Sequence, residues 1–143
     1  MSTLPLTRTP TLRSVGWWMT VIAALYLLVS AAIAAAAPVS FAHSLGLPLA
    51  STADDGFPVV YATRTTVIAL LALILALRQE IAILSILVLL ATVLPLTDAV
   101  VVATHHAGAP TVVKHLASAV YLLATWILLR HHLHRSRRER YGG

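Results

Sequence analysis

The sequence predicts an all-α integral membrane protein: an antiparallel four-helix bundle with a long outer loop between helices one and two. Three observations predict it. Hydrophobic residues make up 59% of the chain and charged residues only 10%, with mean hydropathy +0.87; a soluble domain is nearer half apolar and a quarter charged. A chain of 143 residues has too little interior to hide that much apolar surface from water. The apolar residues also fall in four runs, each close to the roughly 20 residues that cross a ~30 Å hydrocarbon core as a helix. The length suits a single domain.

The first run, residues 15–37, is uninterrupted. Arg8 and Arg13 before it, and Ala35-Ala36-Ala37 at its end, resemble the flanks of a signal peptide. Its length, and Trp17-Trp18 placed as an interfacial anchor, favour a retained helix. Its alanines suit close helix packing, inside the monomer or in a homodimer. A long outer connection starts at Pro38. Within it, residues 39–45 suit a short interfacial helix ending at Gly46. Residues 51–56 then read as a polar turn, or Ser51 caps a further turn of helix.

The second run, 57–77, is broken only by Arg64. Arg78-Gln79-Glu80 leaves room for nothing but a tight helical hairpin. The third run, 81–103, carries Pro95 and Asp98, and the fourth, 111–129, has Lys114 and His115 near its start. Backbone groups in lipid must be satisfied within the segment, so each run is expected to be helical. Residues 1–14 and 130–143 remain as tails.

Charge gives the direction of insertion. The chain has net charge +5, pI about 10.5 and no cysteine, which excludes disulfides and thiolate chemistry. Arg8, Arg13, Arg78, Arg130, Arg135, Arg137, Arg138 and Arg140 fall on one side of the predicted spans, Arg64 and Lys114 towards the other. Positive residues concentrate in the cytoplasm, so both termini are placed there. The C-terminal basic run reads as a topology signal and an anionic-lipid contact. No nucleic-acid-binding motif accompanies it, and nucleic acid is not an expected partner.

Ionisable residues inside a bilayer are costly and mark function or structure. Counting from the cytoplasmic ends at ~1.5 Å per residue, Arg64, Asp98 and His115 lie roughly 20, 25 and 21 Å deep. Three helices thus bring them to one layer in the outer half. Tyr61 shares a face with Arg64, His105 shares one with Asp98 if that helix continues, and Tyr26 and Ser30 offer hydroxyls from the first span. Pro95 frees the carbonyl of Ala91, and a kink there would open space beside Asp98. Asp98 is the only acidic residue within the spans, and a bidentate contact with Arg64 would satisfy both.

Such a cluster can staple helices together. It can also line a pocket, where Asp98 and His115 exchange protons and Arg64 holds an oxyanion. A proton path is disfavoured, because the inner half of every span lacks ionisable stations. His105-His106 belongs to an outer loop, and His131-His132-x-His134 lies among arginines that disfavour a cation. Lys114 is expected to snorkel to the outer interface. No metal or cofactor is implied, and no phosphate loop, nucleophile elbow or dinucleotide fingerprint occurs.

The stretches 41–48 (FAHSLGLP), Tyr61-Ala62-Thr63-Arg64, Leu77-Arg78-Gln79-Glu80, Pro95-Leu96-Thr97-Asp98 followed by Ala99-Val100-Val101-Val102, and His115 opening the last helix resemble the DoxX-like small four-helix membrane proteins of bacteria. The closest resemblance is to an uncharacterised, domain-of-unknown-function branch, over residues 15–129. It implies a four-helix fold in the bacterial cytoplasmic membrane and no particular activity. In such relatives the second helix begins with a glycine-x-arginine-aspartate pattern; Ala62 and Thr65 replace the glycine and the acid here, leaving Arg64.

The function expected is binding of a lipophilic small molecule in an outer-leaflet-facing polar pocket. Asp98, His115 and Arg64 are the candidate catalytic or polar-end residues, and Tyr61, Tyr26, Ser30 and His105 the candidate ligand contacts. One alternative is a membrane-embedded isomerase, epoxide hydrolase or cyclase using Asp98 and His115. Another is a structural or accessory subunit of a membrane complex. Membrane lipid is the partner common to all three.

Overall fold

The computed structural model describes residues 14–49, 51 and 56–141. The N-terminal tail with Arg8 and Arg13, and most of the predicted polar turn at 51–56, lie outside the described residues, as do the side chains of Arg137 and Arg140. The described chain forms six helices and no strand: α1 (Val15–Ala36), α2 (Pro38–Leu45), α3 (Gly56–Leu77), α4 (Ile81–Ala91), α5 (Val93–Thr104) and α6 (Ala109–Tyr141). Four stretches, Val15–Ala36, Gly56–Leu77, Ile81–Thr104 and Ala109–Ser136, are long and apolar enough to cross a membrane. Their outer faces carry exposed Ile, Leu and Val side chains along the whole length. That pattern marks an integral membrane protein, since an all-round apolar helix needs an apolar solvent.

Each boundary has a local cause. Ser14 caps α1, its hydroxyl accepting from the Trp17 amide at 3.2 Å. Pro38 cannot continue α1 but suits the first position of α2, so a single residue, Ala37, joins the two. Gly46 closes α2 in the left-handed region at φ 89°. The Leu47 amide bonds back to the Ala42 carbonyl at 3.0 Å and Gly46 to His43 at 3.1 Å, a Schellman closure. At the end of α3 the left-handed position is taken by Gln79, φ 59°, a residue without glycine's freedom there. Its side chain compensates: Nε2 donates to the Ala76 carbonyl at 3.0 Å.

The third span breaks one turn earlier than Pro95. α4 ends at Ala91, Thr92 donates its amide to Leu89 at 3.1 Å and its hydroxyl to the Val88 carbonyl at 3.1 Å, and α5 resumes at Val93. A proline ring crowds the carbonyl four residues back. The distortion is therefore absorbed in the turn before the ring, at Ala91–Thr92. α6 does not stop at Leu129 either; it continues through the basic segment to Tyr141.

Small residues set the packing. α1 packs most extensively on α3, and α6 packs on α5, α4 and α1. The buried faces of α1 and α3 are rich in alanine, Ala24, Ala31 and Ala34 on one and Ala62, Ala69, Ala72 and Ala76 on the other, which lets two backbones approach closely. α1 and α6 approach closely at Gly16, where a Cβ would sit 3.0 Å from the Leu129 amide nitrogen and 3.1 Å from the Leu128 Cβ. The Gly16→Val variant is expected to wedge α1 from α6 and destabilise the fold by about 2 kcal/mol, measured as the thermal midpoint in detergent micelles. An unchanged midpoint would mean that this crossing bears no packing.

The tryptophan pair divides its labour, contrary to the expectation of a shared interfacial anchor. Trp18 is 53% exposed, but Trp17 is only 6% exposed. The Trp17 indole N–H donates to the Ala76 carbonyl at 2.9 Å, so it is a core residue tying α1 to the α3–α4 turn. Adjacent residues on a helix point about 100° apart, so Trp18 faces outward while Trp17 turns into the bundle.

Candidate functional site

From the Gly16 crossing α1 and α6 stay joined as far as Met19 and Tyr121, where the tyrosine hydroxyl donates to the Met19 carbonyl at 2.9 Å. Beyond that point both helices face a cavity of about 660 Å³. α1 contributes Ile22, Tyr26, Val29, Ser30 and Ile33; α3 contributes Tyr61, Arg64, Thr65 and Ile68; Ala91, Leu94, Pro95 and Asp98 come from α4 and α5; and Lys114, His115, Ser118, Tyr121 and Leu122 come from α6. A much smaller apolar void of about 30 Å³ shares Ala23, Leu27, Ile68, Ala91 and Leu122 with it and continues towards Thr20 and Thr125. Both of those threonine hydroxyls are spent on carbonyls of their own helices.

α2 is the roof. Phe41, Ser44 and Leu45 line the cavity from above, and Phe41 stacks at a tilt on Tyr61 with ring centroids 4.7 Å apart. The last carbonyls of a helix lack intrahelical partners and carry the negative end of its dipole. Two cationic-type side chains of α6 meet them: Lys114 Nζ donates to the Ser44 carbonyl at 2.7 Å, and His115 Nε2 lies 3.4 Å from the Leu45 carbonyl. Lys114 is exposed as expected of a snorkelling lysine, yet it clamps the roof. His115 is buried, 6% exposed.

Of the residues singled out from the sequence, Arg64, Asp98, His115, Tyr61, Tyr26 and Ser30 all line this one cavity. His105 does not. α5 ends at Thr104, and His105 is its C-cap, exposed, with Nδ1 2.9 Å from the Val101 carbonyl. The face shared with Asp98 required the helix to continue through His105, one residue beyond its end at Thr104. The expected Arg64–Asp98 pairing is also absent: neither side chain makes a hydrogen bond or ion pair with any described residue. Equal depth places two groups in one layer but not at one azimuth. Here Arg64, Asp98 and His115 come from three different helices and each lines the cavity.

Chemically, the chamber combines apolar walls with the guanidinium of Arg64, the carboxylate of Asp98 and the imidazole of His115, beside a lysine ammonium held by the roof. No three His, Asp or Glu side chains among the described residues are grouped to hold a metal ion. His131, His132 and His134 lie on the far end of α6, remote from the cavity in sequence and outside its lining.

A family described as a domain of unknown function (DUF4267) matches residues 24–129. The chain belongs to this family. The DUF4267 segment begins inside α1, takes in α2 to α5 entire, and stops where the basic extension of α6 begins. It therefore carries Tyr26, Ser30, Tyr61, Arg64, Asp98 and His115 together with the roof helix. The expectation of an uncharacterised-domain family is met by DUF4267. No curated protein and no solved structure matches the chain.

Roof residues Phe41, Ser44 and Leu45, and the clamp made by Lys114, were not legible as site residues. Pro38 and Gly46 signal the α2 boundaries, but Lys114 recognises a backbone carbonyl 70 positions away, which no side-chain pattern records.

Proposed function

We propose that this protein binds a lipophilic small molecule in its α1–α6 cavity. In this reading the four spans form an antiparallel bundle in the bacterial cytoplasmic membrane, with both termini cytoplasmic, and the cavity lies in the outer half. The distribution of arginine supports that orientation: Arg78 and the α6 extension share one end of the spans, and the cavity lies at the other. The DoxX-like kinship belongs to the same proposal and is supported by the four-span layout and the matching motifs around Arg64 and Asp98.

One observation carries the binding reading. A chamber of about 660 Å³ falls within the 300–1,000 Å³ of ordinary ligand sites, which combine apolar walls with a few convergent polar groups. Its mouth suits a ligand arriving through lipid. Tyr26, Val29 and Ile33 of α1 and Ala117 and Ser118 of α6 line the cavity and are also exposed, so the opening runs sideways between two membrane-spanning helices. A staple would consume the polar groups; Arg64 and Asp98 remain unconsumed.

The test is mass spectrometry of organic-extractable molecules that co-purify with wild type and with Asp98→Asn. A defined lipophilic compound near one per chain, reduced about tenfold in the folded variant, is the expected outcome. Bulk membrane lipid alone in both samples would overturn it. A second reading, a membrane-embedded isomerase, epoxide hydrolase or cyclase, is favoured by one feature: Asp98 and His115 share the cavity with the carboxylate free to serve as acid or base. Turnover of the co-purified compound by wild type and not by Asp98→Asn would establish it.

A further inference from the structure

Arg64 and Asp98 are complementary groups in one apolar-walled chamber, yet they do not touch each other or any other described polar group. The guanidinium carries five N–H donors and a permanent charge; the carboxylate carries only acceptors when ionised. Leaving such groups unpaired at membrane depth is costly. Water filling the outer mouth lowers that cost, but a ligand that closes the mouth displaces the water and must replace its hydrogen bonds. The occupant therefore has to offer an acceptor to Arg64 and, separated from it, a donor to Asp98.

Charge narrows the acceptor. Arg64 and Lys114 outnumber Asp98 among the charged cavity residues, so an oxyanion compensates where a neutral carbonyl would not, and guanidinium pairs best with planar or tetrahedral oxyanions. The donor opposite it is an ammonium or hydroxyl. The roof closes directly over this end through Lys114 and Ser44, while the exposed apolar mouth at Tyr26, Val29 and Ala117 leads out into hydrocarbon. We infer that the ligand is an amphiphile whose head carries an oxyanion and a hydrogen-bond donor a few atoms apart, the oxyanion on Arg64 and the donor on Asp98, with its chain leaving between α1 and α6. This rests on the binding function proposed above and adds the chemistry of the head.

The experiment is native mass spectrometry of the full chain in mild detergent, titrated with four probes. Hexadecylphosphoethanolamine has both oxyanion and N–H donors, hexadecylphosphocholine has the oxyanion without a donor, and hexadecanol has a donor without an oxyanion. Glycerophosphoethanolamine has the head without a chain. The first probe is expected to bind about tenfold more tightly than the second and third, a difference of about 1.4 kcal/mol, and the tail-less head not to bind at matched concentration. Asp98→Asn should erase the preference over the choline probe, Asp98→Glu should retain it, and Arg64→Gln should weaken both phosphate-bearing lipids.

Equal affinity for the three chain-bearing probes in wild type, which needs no variant to fold, would overturn the head-group assignment while leaving the pocket in place. Binding of the tail-less head as tight as the lipid would overturn the amphiphile. No binding of any chain-bearing probe to folded wild type would overturn the pocket and the assignment together.

Discussion

Replacing Trp17 by alanine is expected to destabilise the folded protein by about 3 kcal/mol, seen as a clear fall in thermal midpoint in detergent micelles. The indole is the largest side chain in the cluster that contains Ala24, Ala69, Ala72, Ala76, Ile81, Leu84, Val88 and Leu129, a cluster that draws residues from all four long spans. In a membrane the truncated chain gains no hydrophobic relief from water; what it loses is dispersion contact around the void left behind. The Nε1–H bond to Ala76 adds a smaller amount, since interhelical hydrogen bonds in membranes average below ~1 kcal/mol. Trp17→Phe separates the two contributions and is expected to cost about 1 kcal/mol. A Trp17→Ala variant as stable as wild type would mean that the side chain faces lipid.

Gly46→Val is expected to detach the roof without unfolding the bundle. Two costs combine at this position. The left-handed φ of 89° burdens any L-residue by roughly 1–2 kcal/mol, more for a β-branched one. A Cβ there would lie 2.7 Å from the Thr111 Cγ2, closer than real side chains tolerate, and 3.2 Å from the Ala107 Cβ, close enough that the neighbour must give way. α2 is short, eight residues, and its outer anchors are the Lys114 and His115 contacts at its C-terminus. Hydrogen exchange in residues 38–45 should therefore accelerate by about tenfold or more, and co-purified ligand should be lost, while α1 and α3 keep their protection. Pairing Gly46→Ala with Thr111→Ser removes the closest steric contact and leaves the backbone strain and the Ala107 contact, and the double variant should recover part of the roof's protection. Unchanged exchange in α2 would show that the Gly46–Thr111 packing does not hold the roof.

How much of this was readable in advance depends on the length scale. The spans predicted at 15–37, 57–77 and 81–103 end within a residue or so of α1, α3 and the α4–α5 pair, because hydropathy sums over some twenty positions and tolerates local noise. α2 was readable because Pro38 and Gly46 are strong punctuation. α6 was not readable to its end: the apolar run stops at Leu129, but arginine and leucine are good helix formers, and a helix can outlive its membrane-facing stripe. That Arg64, Asp98 and His115 line one cavity was readable from their matched positions along three helices, because rise per residue is constant. Their lateral arrangement was not, since azimuth is set by which neighbour each helix packs on. Trp17 and Trp18 failed for the same reason, and His105 because the end of α5 is settled by a single turn.

α6 has one further consequence. At 33 residues it is about 50 Å long, well beyond the thickness of the hydrocarbon, and it has no break between the roof clamp and the arginine-rich end. A soluble helical domain spliced in phase after Arg138 would inherit the axis and roll of α6 rather than swing on a linker. That would give a 15.3 kDa chain, mostly hidden in micelle or nanodisc, a rigid handle large enough to align particles in electron cryo-microscopy. The same continuity makes the C-terminus the wrong place for a bulky tag in any assay that needs α6 free to tilt.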